Sequence, residues 1–311
     1  MPAGRQPRPP GPPRVTLVTA AEAVGLDDDA PVLEDALRRC GVDVRTCVWD
    51  DEAVDWSATD LAVLRSTWDY PRRREAFVRW ATRVDAAAAL RNRPAVVAWN
   101  SDKRYLLELA DRGVTIVPST VHAPGDGITV PADRGFVVKP TVSAGSQDTA
   151  RYAADEREHA LVHAGRLHAQ GRDVLIQPYV ERVDDDGETA LVYVGGQFSH
   201  AIRKGPILAG VTETVGGLFA AEQIDPRSPR DRERAVAEAA LDAVPFDRAD
   251  LLYARVDLLP GRDGRPLVLE VELVEPSLFL RFDDVAADRF ASAIVRCLAA
   301  ATTPRGMAAP G

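Results

Sequence analysis

The stretch LEVELVEP, Leu269 to Pro276, sets Glu270, Glu272 and Glu275 inside a run otherwise as apolar as a core strand. Buried carboxylates are costly unless something positive meets them, so the partner of these three acids decides how the chain is read. Working outward, LLYARVDLL (251–259) and PLVLEVELV (266–274) flank the turn PGRDG (260–264). Strand side chains alternate faces with a period of two, so Arg255 and Asp257 share one face, as do Glu270 and Glu272. Antiparallel pairing through the turn brings all four to one pocket. An aspartate with two glutamates is an all-oxygen set that suits a hard divalent cation such as Mg²⁺, which takes a few carboxylates plus water and substrate phosphates. An ordinary ion-pair cluster around Arg255 explains the same pattern, and the strands alone leave both readings open. The five histidines show no spacing that suits zinc.

With 311 residues and 46% hydrophobic content, the chain can build a substantial core in two or three domains. A formal net charge of -9 argues against nucleic acid as a partner. An anion such as ATP would need a local basic site and a metal. Cys40, Cys47 and Cys297 are scattered, odd in number and form no CxxC pair, which fits a reducing, cytoplasmic setting. No apolar run approaches the roughly 18 residues of a membrane span. The opening MPAGRQPRPPGPPR lacks the apolar segment of a secretory signal and reads as a disordered tail, 1–14.

Strands are expected at 15–20, in VDVRTCVW and at 60–67, alternating with helices in PVLEDALRRCG and RREAFVRWATRVDAAAAL; this makes 15–99 a small α/β domain with a parallel sheet. NSDKRYLLELADRG reads as a helix capped by Ser101 and ended by Gly113. GFVVKP is a strand ending at Lys139, TVSAGSQDT a small-residue loop, EREHALVHAGRLHAQG a helix and DVLIQPYV a strand. ETALVYVGGQFSHAIRKG is a hairpin turning at Gly195-Gly196. A closing helix is expected in DDVAADRFASAIVRCLAAA.

Lys139, before a Ser/Gly loop, is placed to touch phosphate, although lysines at strand ends are commonly just solvated. Lys103 near a helix N-terminus opposes the helix dipole. Arg203 and Lys204 end a hairpin strand on opposite faces. Together such groups can clamp a triphosphate bridged by Mg²⁺. P-loop, GxGxxG and protein-kinase signatures are absent.

This order of parts resembles the ATP-grasp carboxylate–amine ligases of the glutathione-synthetase-like kind, over about residues 15–300. The strongest local piece is ARVD…LEVEL…EP, which matches the family's Arg-x-Asp strand followed by Glu-x-Asn. The resemblance implies an α/β and α+β protein of ATP-grasp fold: a small Rossmann-like α/β domain at 15–99, two α+β ATP-binding lobes at 100–180 and 181–303, and a tail at 304–311. It implies ATP and Mg²⁺, with Mn²⁺ as an alternative, held through Asp257, Glu270 and Glu272. Glu272 departs from the family's asparagine, which leaves the metal count open. It likens Lys103 and Lys139 to the phosphate-side lysines, and SAGSQD, with Ser143, Gly145 and Ser146, to the loop over the phosphates. Gln177, Tyr179 and Val180 match the adenine hinge and Glu188 the ribose acid. Arg203 or Lys204 would sit near the γ-phosphate, and Arg255 would stabilise the oxyanion of acyl transfer. The loop at Thr212–Gly217, with Gly216 and Gly217, resembles a substrate loop.

LRSTWDY, NSDKRYLLELADRGV, FSHAIRK and EPSLFL look like the D-cycloserine synthetase branch, the O-ureido-D-serine cyclo-ligases. On that likeness the substrate is a small amino-acid-like molecule. Arg65, Ser66, Thr67, Trp68 and Asp69, after a parallel strand, are the recognition candidates, with Glu275 and Ser277. Trp68 and Tyr70 can equally be interface packing. An intermolecular amino-acid or peptide ligase and a non-catalytic ATP-binding protein stay as alternatives, and an NAD-dependent oxidoreductase lacks its glycine fingerprint. Neither a nucleic-acid nor a membrane partner is expected, and a homo-oligomer is left open.

Overall fold

In the computed structural model, which describes residues 11–205, 214–215, 219–220 and 223–302, the first apolar run is β1 (Arg14–Thr19), buried beyond its first residue. Next come α1 (Ala30–Arg39) and β2 (Asp43–Val48). Pro31 stands in the first turn of α1, and Gly41 follows its end at φ +75°, a left-handed position that glycine takes without strain. β3 (Leu61–Ser66), α2 (Arg74–Ala87) and β4 (Ala89–Arg91) complete a parallel sheet of order β2-β1-β3-β4. β3 is buried along its whole length, as expected of a central strand covered on both faces.

The helix expected from residue 100 begins later, as α4 (Tyr105–Asp111), and a further short helix, α3 (Pro94–Asn100), precedes it. Ser101 does not cap α4: it follows the end of α3, and its hydroxyl accepts from Arg74 Nε at 2.8 Å. Lys103 therefore lies ahead of α4, its backbone N–H donating to Thr141 O at 2.8 Å.

A second sheet is antiparallel: β5 (Thr120–His122), β6 (Phe136–Pro140), β7 (Ala150–Tyr152) and β8 (Val174–Pro178), in the order β5-β8-β6-β7, with α5 (Arg157–Ala169) against it. Phe136, Val138, Ala160, Leu167 and Ile176 form its own apolar core. After the one-turn α6 (Val183–Asp186), the third sheet takes β9 (Glu188–Val194) and β10 (Gln197–Lys204). Two short strands, β11 (Thr214–Val215) and β12 (Phe219–Ala220), pair with each other. β13 (Ile224–Pro226), α7 (Asp231–Asp242), β14 (Tyr253–Pro260) and β15 (Pro266–Glu272) follow, and the sheet order is β13-β10-β9-β14-β15. Gly195 and Gly196 turn the β9–β10 hairpin at φ +56° and +74°. A Cβ at Gly196 would meet the Arg248 carbonyl oxygen at 2.8 Å, so that position needs glycine for space as well as for φ.

α8 (Ala286–Thr302) closes the described chain. Its Phe290 and Ile294 share one buried cluster with Val15, Leu33, Leu61, Val192 and Tyr253, joining the first sheet to the third. Two buried asparagines reinforce the junction. Asn92 donates to Tyr253 O (2.9 Å) and Leu273 O (2.7 Å) and accepts from Leu252 N (2.8 Å). Asn100 donates to Val271 O and accepts from Leu273 N, both at 2.7 Å. These bonds fix the strands that carry the glutamates.

Candidate active site

β14 and β15 pair antiparallel with Arg255 opposite Glu272 and Asp257 opposite Glu270, as the period-two reading expects. A bulge between Asp257 and Leu258 shifts the register, and pairing resumes with Leu258 opposite Val268. The four side chains face a cavity of about 520 Å³. Three lysines reach it from further places: Lys103 before α4, Lys139 on β6 and Lys204 at the end of β10.

Here Asp257, Glu188, Glu270 and Glu272 each find a cation. Lys139 Nζ donates to Glu270 Oε1 at 2.8 Å, and Lys103 Nζ stands 3.6 Å from Glu270 Oε2 while donating to the carbonyl (2.8 Å) and hydroxyl (3.1 Å) of Ser143. Lys204 Nζ bridges Glu188 (2.5 Å) and Asp257 (2.7 Å). Arg255 clasps Asp257 through Nε and a terminal nitrogen, both at 2.9 Å, bonds Glu272, and donates to Ser277 O at 2.9 Å. Burial would raise the Asp257 carboxyl, but Arg255 and Lys204 hold it well below its ordinary value. Burial likewise opposes ionisation of Glu270, and Lys103 with Lys139 brings it down to about 2. Glu272 is raised: burial, Asp257 and Glu270 outweigh Arg255. Glu275, pressed by burial and by Glu272, is pushed up to about 8.

Ser143, Gly145 and Ser146 also line the cavity, as do Gln177, Tyr179 and Val180, together with Trp68, Glu275 and Ser277. Ser146 holds a left-handed φ of +61° in its loop. Five expected residues are not brought to it. Arg65 is 2% exposed and paired with Asp27 (3.2 Å) and Asp29 (3.3 Å), with a longer bond to Pro276 O (3.4 Å). Ser66 bonds Thr19 Oγ1 at 2.7 Å, and Thr67 is fully buried. Asp69 accepts from Trp49 Nε1 (2.8 Å) and Arg73 (2.6 Å). Arg203, on the opposite face from Lys204, reaches the carbonyls of Asp185 (3.0 Å) and Asp186 (2.8 Å) instead of a phosphate position. Gly216 and Gly217 lie outside the described residues.

No three Asp, Glu, His or Cys side chains among the described residues stand together as a metal cage. Each of the expected ligands Asp257, Glu270 and Glu272 is here engaged by a base. The donor chemistry still fits a hard cation at Asp257 and Glu270, both ionised and opposite one another. Glu272, raised and held by Arg255, is the poorer donor.

Sequence reasoning missed Asp27, Asp28 and Asp29, which line the cavity next to Arg281 and Phe279. Asp29 accepts from the backbone of Leu278 (2.8 Å) and Leu280 (2.7 Å), and Asp28 pairs with Arg281 at 2.7 Å. The lone arginine at the end of an apolar strand, Arg65, was the available signal, since such a buried cation requires an acid somewhere.

The N-terminal domain of D-cycloserine synthetase DcsG, as a family model, matches residues 15–92. The cycloserine biosynthesis protein DcsG of Streptomyces lavendulae is 42% identical over 299 residues, 91% of this chain and 98% of that protein. The chain belongs to the DcsG family of ATP-grasp ligases. The crystal structure of D-cycloserine synthetase DcsG superposes with a TM-score of 0.83 at 39% identity, covering 92% of this chain and 99% of the other. A D-alanine–D-alanine ligase from Bacillus anthracis, solved in complex with ATP, shares the fold at a TM-score of 0.61 and 14% identity, over 92% of this chain and 97% of its own. The DcsG-family ligase thus has the ATP-grasp architecture, a parallel α/β sheet followed by two antiparallel sheets. Among the described residues, no helix is long and apolar enough to cross a membrane.

Proposed function

We propose that this enzyme closes O-ureido-D-serine into D-cycloserine, at the cost of one ATP converted to ADP and phosphate. The observation that carries the reading is the convergence of Lys103, Lys139, Lys204 and Arg255 on one cavity together with the registered pair Asp257 and Glu270. A carboxylate is a poor electrophile. Transfer of the γ-phosphoryl group to one of its oxygens makes that oxygen a leaving group, and the ureido nitrogen bonded to oxygen then attacks the carbonyl carbon. The C–N bond forms, phosphate departs, and hydrolysis of the carbamoyl group leaves the isoxazolidinone ring.

The residues' work is alignment and charge neutralisation. Lys103 and Lys139 are the phosphate clamp, with the 143–146 loop over it. Lys204 stands at the γ-phosphate end, and Glu188 meets the ribose. Asp257 and Glu270 would hold Mg²⁺, or Mn²⁺ in its place, which supplies charge neutralisation of the phosphates. The ion pairs described above join the same groups: Lys103, Lys139 and Lys204 would bind phosphate oxygens, and Asp257 and Glu270 would be left to hold the cation. Arg255 faces the acyl centre, where it stabilises developing negative charge. The setting is the cytoplasm, with free Cys40, Cys47 and Cys297 as support.

The test is ADP release from Mg-ATP with O-ureido-D-serine as sole organic substrate and product mass measured. Release without any added amine, with the mass of D-cycloserine, supports the cyclo-ligase. Release only when a second amine is added shows an intermolecular ligase instead. ATP binding with no ADP formed from a broad carboxylate panel shows a non-catalytic protein.

A further inference from the structure

Glu275 is the odd acid of the cavity. The other lining carboxylates described above each meet a lysine or arginine: Lys204, Lys139, Arg255, Arg65 or Arg281. No base or hydrogen-bond donor among the described residues meets the Glu275 carboxyl. It cannot withdraw toward one, because its backbone is fixed from the first domain: Trp68 Nε1 donates to Glu275 O at 3.1 Å, and Arg65 reaches the next carbonyl, that of Pro276. Lys103 and Arg255 compensate it only in part from a distance: burial and Glu272 outweigh them and push it up to about 8. A protein that neutralises its other cavity acids and leaves one open has left that position for a cation from elsewhere.

Resting on the ligase reading above, we infer that Glu275 receives the primary ammonium of the substrate, so that the site selects carboxylates bearing an adjacent amino group. The arrangement suits such a zwitterion. Arg255, the group assigned to the acyl centre, reaches across from β14 and donates to the carbonyl of Ser277, two residues beyond Glu275. The segment thus presents its own acid and holds a base beside it, the two charges that an ammonium and a neighbouring carboxylate require. The partnership is a charge-assisted hydrogen bond, the strong kind. It also orients the substrate, because an ammonium fixed at Glu275 leaves the carboxylate to Arg255 and the side chain to a third direction.

The experiment compares the wild-type chain with Glu275→Gln and Glu275→Asp in the ADP-release assay. The panel consists of matched carboxylate pairs, one member with and one without the α-amino group. O-ureido-D-serine and its deamino counterpart form one pair, and D-amino acids with their deamino analogues form the others. Wild type is expected to prefer the amino-bearing member. Glu275→Gln is expected to lose that preference, raising KM for it roughly 10- to 100-fold with KM for ATP unchanged, and Glu275→Asp is expected to recover part of it. The glutamine variant keeps or raises the unfolding midpoint, since it removes a half-buried acid that no base meets directly. Should wild type ignore O-ureido-D-serine yet turn over another pair, the substrate reading fails while Glu275 is judged on that pair. A wild type with no preference for the amino-bearing member of any pair, or a Glu275→Gln protein that keeps the preference, overturns the inference.

Discussion

Arg65→Met probes the buried charge cluster that backs the cavity. Arg65 is 2% exposed and is the base between Asp27 and Asp29. Methionine fills much of the same volume but removes the charge. Breaking a buried pair from one side costs about 3–5 kcal/mol because the other charge is left uncompensated. Asp29 retains two backbone donors, Leu278 N and Leu280 N, which places the loss near about 3 kcal/mol. The deficit is read as the shift in urea unfolding free energy, with the double variant Arg65→Met, Asp29→Asn completing a cycle. The two changes are expected to be non-additive by about 1–3 kcal/mol, since they share one contact. The pH dependence has a fixed sign. The Asp29 carboxyl is raised in the folded protein by burial, with Asp27 adding to it, and removing Arg65 raises it further. A group raised on folding contributes stability that is present below its unfolded value and is lost as pH rises through the folded one. The Arg65→Met deficit should therefore shrink as pH falls from neutral toward the ordinary aspartate range. A loss below about 1 kcal/mol, strict additivity with Asp29→Asn, or a deficit that grows on acidification would refute the reasoning.

Arg255→Ala should lower kcat about 100- to 1000-fold while changing the affinity for ATP far less, measured by steady-state ADP release and by nucleotide titration; equal losses in both contradict its role. Glu270→Gln should raise the Mg²⁺ concentration needed for half-maximal turnover much more than Glu272→Gln, because Glu270 is ionised and Glu272 is raised and tied to Arg255; the reverse order would reassign the metal ligands. Mg-ATP at about 100 times its Kd should stabilise the fold by about 2.7 kcal/mol, seen as a higher melting temperature, and no shift at saturation would count against nucleotide binding between the sheets.

The strands of 251–274 could be read from sequence because their alternation is strict and their turn is short, so Arg255, Asp257, Glu270 and Glu272 fell on one face as expected. The hairpin at Gly195-Gly196 was legible for a similar reason: two left-handed residues in succession leave few alternatives. Arg65 was misread because its strand-end position suggested a ligand site, while its acids lie on a separate segment with no periodic relation to it. Ser101 looked like a cap, but the tertiary partner Arg74 took its hydroxyl. Arg203 and Lys204 were known to face opposite ways, and only the pairing of β10 with β9 shows Lys204 on the cavity side, opposite Glu188. The open acid Glu275 could be seen in the sequence, but its lack of a partner could not, since that depends on where each base in the cavity ends up.

The central claim is that the substrate's own carboxylate is phosphorylated before nitrogen attacks. O-ureido-D-serine labelled with ¹⁸O in its carboxylate tests it most directly, by mass analysis of the inorganic phosphate released with ADP. Activation as an acyl phosphate predicts that one labelled oxygen moves from the carboxylate into each phosphate, with the other retained in the ring carbonyl of D-cycloserine. Phosphate free of label, formed alongside D-cycloserine, would contradict the account.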